Sequence, residues 1–135
     1  METTPPRMNF TDRMNYITPF TEKVARVLNN YPNLNIDGFY PDVRPAAWNL
    51  DKVERLCDFI RENYAASLRT KSLRGSYSLK HEIERLDWTT SKDKYVSNGE
   101  LILAMLCEDH EPKRLIKGNL NCCFKVMLRP QLPTV

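Results

Sequence analysis

The run Ser97-Asn98-Gly99-Glu100, followed by Leu101-Ile102-Leu103-Ala104-Met105-Leu106, limits what this chain can fold into more than any other stretch. Ser-x-x-Glu is a capping box, in which the hydroxyl accepts from the amide three residues on and the carboxylate accepts from the serine amide. It sets a helix start at Asn98 and predicts a helix over 98–108, stopped before Pro112. That helix is apolar on most sides. A short helix with no polar face must be buried, so other elements have to surround it.

Periodicity supplies those elements. Leu50, Val53, Leu56, Cys57, Ile60, Tyr64 and Leu68 recur at steps of three or four behind Asn49 as cap, which predicts a long helix over 50–68. Thr18-Pro19 reads as an N-cap with proline at the first helical position, opening a helix over 19–30 with Phe20, Val24, Val27 and Leu28 on one face. A shorter helix is expected over 76–86, capped by Ser76 or Ser78, with Leu79, Ile83 and Leu86 inward. Leu120, Cys122, Phe124, Val126 and Leu128 alternate with Asn121, Cys123, Lys125 and Met127, the period of a strand. Lys117-Gly118-Asn119 would turn that strand back on 113–116. The expected fold is α+β and mostly helical, with about four helices and a small C-terminal β-hairpin. Leu56, Ile60, Leu101, Ile102 and Met105 should form its centre.

Around this body the chain changes character. Residues 1–17 contain Pro5-Pro6 and no sustained period, and read as an extended arm. Residues 18–48 comprise the first helix and a connection held extended by Pro32, Pro41 and Pro45. Phe39, Tyr40 and Trp48 in that connection are too many aromatics for a free linker, so it should pack on a surface, its own or a partner's. Residues 49–128 form the compact domain, and 129–135, with Pro130 and Pro133, a second arm.

With 135 residues and 41% apolar composition the chain is long enough to bury one core without staples. No apolar run is long enough to span a bilayer. The start, Met1-Glu2-Thr3-Thr4-Pro5-Pro6, lacks the basic and apolar regions of a signal peptide, so an intracellular or virion location is expected. The spacing of Cys57, Cys107, Cys122 and Cys123 does not form a secreted disulfide framework, and reduced thiols fit better.

Three motifs, Ser76-Tyr77-Ser78-Leu79-Lys80-His81, Tyr95-Val96-Ser97-Asn98-Gly99-Glu100-Leu101-Ile102 and Asn119-Leu120-Asn121-Cys122-Cys123-Phe124, occur in this order. Together, over residues 73–128, they resemble short proteins encoded by bacteriophages and large DNA viruses. The resemblance implies a viral or phage-derived origin and brings no activity, cofactor or catalytic residue with it.

Candidates for chemistry each have a plainer reading. Cys107-x-x-His110 with Cys122-Cys123 offers four zinc ligands, but vicinal cysteines rarely face one metal, and buried thiols are the better account. His81, beside Lys80 and Glu84, belongs to a solvated helix face; His110, among Glu108, Asp109 and Glu111, should favour its protonated form. Glu82 and Glu84 point in different directions on a helix, so a solvated face is expected there too. The four glycines form no phosphate-cradling loop. No enzyme, cofactor, metal or small-molecule substrate is expected.

Two binding roles remain. Residues 69–85 carry Arg69, Lys71, Arg74, Lys80 and Arg85 against Glu82 and Glu84, a basic segment suited to nucleic acid beside a helix-turn-helix-like core. The intervening loop is too long for a helix-turn-helix, and the would-be recognition helix carries Glu100, Glu108 and Asp109 with no Lys or Arg. Protein binding is preferred. Extended arms and an aromatic loop suit contact with other subunits of an assembly such as a virion, with Pro5, Pro6, Phe10, Tyr16, Phe39, Tyr40 and Trp48 as contact residues.

Overall fold

The structure is a computed structural model and describes residues 18–69, 72–113 and 119–130. The N-terminal arm with Pro5, Pro6, Phe10 and Tyr16, Lys71, the expected hairpin stretch 114–118 and the tail 131–135 lie outside the described residues.

Four helices stand among the described residues: α1 (Pro19–Asn30), α2 (Leu50–Asn63), α3 (Ser76–Arg85) and α4 (Asn98–Cys107). None is long and apolar enough to cross a membrane. The α+β class expected from the sequence is correct. All ten residues of α4 are buried, and α2, α3 and α1 pack around it. Leu56 and Ile60 of α2 and Leu101, Ile102 and Met105 of α4 are at most 1% exposed. Burying each such side chain contributes about 1.5–3 kcal/mol. The capping box that opens α4 is complete: Glu100 N–H donates to Ser97 Oγ (3.0 Å) and Ser97 N–H to Glu100 Oε1 (2.9 Å). Thr18 caps α1 through a second box, with Thr21 in the role usually filled by Glu or Gln.

β1 (Leu34–Asn35) and β2 (Gly38–Phe39) make a two-stranded hairpin seated on the start of α4, where Gly99 N–H donates to Ile36 O at 2.7 Å. The seat exists because Gly99 has no side chain. A Cβ there would lie 1.8 Å from Asn35 O. Gly38, with φ of +125°, meets Leu120 O in the same way.

β3 (Tyr64–Ala66), β4 (Leu73–Gly75) and β5 (Cys123–Leu128) form an antiparallel sheet in the order β3-β5-β4. This corrects two expectations. The second helix ends at Asn63 and not at residue 68, because Tyr64, Ala65 and Ala66 pair with Leu128, Met127 and Val126. Tyr64 stays buried on the strand, while Leu68 is 99% exposed. The C-terminal strand runs centrally between β3 and β4, and of its expected hairpin partner the described part is a bridge from Lys113 to Cys123. Neither Ser76 nor Ser78 caps α3. Its N-cap is Gly75, without a side-chain bond, and Ser76 Oγ accepts from Cys122 N–H at 3.2 Å.

Candidate functional site: a tyrosine face on α3

Tyr77, Lys80, His81 and Glu84 share one side of α3 through helical spacing. Tyr77 and His81 meet edge to face, with centroids 4.5 Å apart and an interplanar angle of 86°. Lys80 is 5% exposed, and its ammonium lies 5.5 Å from the Tyr77 ring and 4.9 Å from the Tyr95 ring. Lys52 of α2 lies 5.2 Å from the Tyr95 ring. Each cation–ring contact is worth about 0.5–2 kcal/mol, more where water is excluded. Both rings remain open to solvent, Tyr77 at 54% and Tyr95 at 56%.

Glu84 and Glu100 organise this face. Glu84 accepts from Lys80 Nζ (3.4 Å) and Val96 N–H (3.0 Å), and its Oε1 lies 2.8 Å from His81 Nδ1. Burial would raise its pKa, but the Val96 amide, Lys80 and His81 together hold the carboxyl below its ordinary value. Lys52 Nζ meets Glu100 Oε1 at 3.0 Å, the carboxylate that also closes the capping box. Asp93 Oδ1 accepts from Tyr95 N–H at 3.0 Å, so Tyr95 is fixed on both sides of its own peptide. The result is two rings held in place over lysines whose charges are already matched.

The expected nucleic-acid residues are mostly occupied elsewhere. Arg74 donates to Glu82 at 2.6 Å, and Tyr64 donates its hydroxyl to the other oxygen of Glu82 at 2.5 Å. Burial opposes ionisation of Glu82, yet the Tyr64 hydroxyl and Arg74 outweigh it and its pKa is lowered. Glu82 and Glu84 thus sit in bonded networks, not on the solvated face expected for them. Lys80 is committed to Glu84, which leaves Arg69 and Arg85 exposed. No known family, curated protein or solved structure matches the chain. The geometry of its own residues therefore carries the functional reading.

Of the expected protein contacts in the 31–48 connection, Phe39 and Trp48 are 2% and 3% exposed and belong to the core. They are unavailable to a partner. Tyr40 is half-buried, with Arg44 5.1 Å over its ring and Asp37 accepting from its hydroxyl at 2.9 Å; that hydrogen bond is the largest cause raising the Tyr40 pKa.

All four cysteines are buried free thiols. Cys57 is pushed well above the ordinary thiol range by its hydrogen bond with Cys107 and by burial. Among the described residues no three His, Cys, Asp or Glu side chains gather to hold a metal ion. His110 lies in a cleft against α1, and burial lowers its pKa although Glu108 and Asp109 pull the other way. The protonated form expected for it is therefore disfavoured.

Proposed function

We propose that this chain is a non-enzymatic protein-binding component of a larger assembly, docking a neighbouring subunit through the Tyr77–Tyr95 face. One observation carries the reading: two half-exposed tyrosine rings lie against Lys80 and Lys52, whose charges are taken by Glu84 and Glu100. Tyrosine gives large contact area at low entropic cost and is enriched at the centres of protein interfaces. A face with matched charges suits a protein surface better than a phosphate backbone. Specific nucleic-acid binding draws on many phosphate contacts, and among the described residues the 69–85 segment retains Arg69 and Arg85 as exposed cations. The resemblance of residues 73–128 to phage and large-virus proteins favours a virion as the setting, and the arms at 1–17 and 129–135 supply further contacts in this reading.

Sedimentation from cells that make the protein tests the proposal. The wild-type chain should travel with a particle far larger than a 135-residue monomer. A Tyr77→Ala, Tyr95→Ala double variant should stay folded, within about 1–2 kcal/mol of wild type, yet sediment as a free chain. Unchanged co-sedimentation of the folded double variant would refute it.

A further inference from the structure

A second surface, sharing no residue with the tyrosine face, lies where the outer side of α1 meets the end of α4. It is a cleft of about 570 Å3, in the size range of small-molecule sites. Its apolar floor is Val27 and Leu106, 9% and 6% exposed. Arg26, Asn30 and Tyr31 line it from the α1 side and His110 from the other. Among the described residues, none of these four side chains has a hydrogen-bond or ion-pair partner.

The remaining charges at the cleft are already matched. Lys23 Nζ meets Asp109 Oδ2 at 3.1 Å, and Glu111 Oε1 meets Lys113 Nζ at 3.5 Å. Among the described residues Arg26, itself exposed, is thus the cation at the cleft without a carboxylate partner, and Asn30, Tyr31 and a neutral His110 each add a donor. Asp109 itself sits at φ +65°, a left-handed position that favours glycine, just past α4. Its amide donates to Leu106 O and that of His110 to Met105 O, the pattern of a Schellman cap. That helix ending, which aspartate tolerates, carries the Asp109 carboxylate to the Lys23 ammonium.

We propose that this cleft binds a small organic anion, a carboxylate or phosphate monoester. Its oxygens would take the Arg26 fork and the neighbouring donors, and its organic body would lie on Val27 and Leu106. A guanidinium matches both oxyanions in two-pronged geometry, and the apolar floor favours an anion that carries hydrocarbon.

The test is an NMR titration of the full 15N-labelled chain with benzoate, phenyl phosphate and inorganic phosphate. At least one organic probe should give saturable shifts at Arg26, Asn30, Tyr31 and His110 with a Kd of about 1 mM or tighter. The tighter of the two names the anion, and inorganic phosphate should bind several-fold more weakly. Arg26→Ala should weaken binding by roughly tenfold or more, Arg26→Lys by less, and Arg55→Ala not at all. Absence of saturable shifts with both organic probes up to about 20 mM, or equal affinity in Arg26→Ala, would overturn the proposal. Inorganic phosphate binding as tightly as phenyl phosphate would overturn the role of the apolar floor.

Discussion

Replacing Gly99 by alanine sets two effects against each other, and the structure decides which wins. Helix propensity alone makes Gly→Ala stabilising by about 1 kcal/mol. In this fold the new Cβ would lie 1.8 Å from Asn35 O, 2.5 Å from Ile36 O and 2.6 Å from the Ile36 carbonyl carbon. All three are backbone atoms, so no side chain can rotate aside. The β1–β2 hairpin must lift, at about 1–3 kcal/mol for the overpacking and about 1 kcal/mol for the lost Gly99 N–H to Ile36 O bond. Leu34 and Phe39, 3% and 2% exposed, would lose part of their burial as well, adding about 1 kcal/mol. The net expectation is destabilisation by about 2–4 kcal/mol, after subtracting the propensity gain. Urea unfolding should report this as a midpoint lower by about 1–2 M at unchanged slope. Gly75→Ala is the control: its φ of −69° suits alanine and a Cβ meets nothing within 4 Å, so its midpoint should stay within about 0.5 M. A Gly99→Ala protein as stable as wild type would refute the docking of the hairpin on α4.

Glu82 and Glu84 have folded pKa values below their ordinary value, so they stabilise the fold above about pH 4.3 and that contribution disappears as pH falls through the folded values. Urea stability should therefore drop between about pH 5 and pH 3. Glu82→Gln should show a shallower drop, and an identical slope would count against the Tyr64–Glu82–Arg74 network. His110 should titrate below its ordinary 6.5 by NMR, contributing stability above that pH that is lost as pH falls through the folded value; a midpoint above 6.5 would contradict its burial against α1. A thiol reagent should label none of the four cysteines at a free-thiol rate until denaturant is added, and fast labelling of Cys57 or Cys107 would show that α2 and α4 are not closely packed.

Both helix starts with capping boxes could be read from the sequence because their hydrogen bonds span only three residues. The centre of α4 was equally legible, since an all-apolar helix has one possible environment. The end of α2 was not: Tyr64-Ala65-Ala66 suits a helix as well as a strand, and only pairing with residues 126–128, sixty or more positions away, selects the strand. In sequence Phe39 and Trp48 look like contacts for a partner, because an aromatic in a loop looks the same whether it fills its own core or another's. The absent side chain of Gly99 turns the hairpin inward, and that is a tertiary fact. For His110 the neighbouring carboxylates were visible but the wall of α1 was not. The tyrosine face joins α3, α2 and the loop before α4, so no local pattern announced it. Its one sequence trace is the Tyr77–His81 spacing, one helical turn apart within Ser76-Tyr77-Ser78-Leu79-Lys80-His81.

Site-specific photo-cross-linking tests the central claim most directly. A benzophenone side chain at position 77 or 95 of the full chain, irradiated in cells that make the protein, should give one discrete cross-linked product. The same group at Val43, which is 68% exposed and far in sequence from both tyrosines, should give none. Equal products from position 43, or no product from 77 and 95, would contradict the assignment of the tyrosine face as the docking surface.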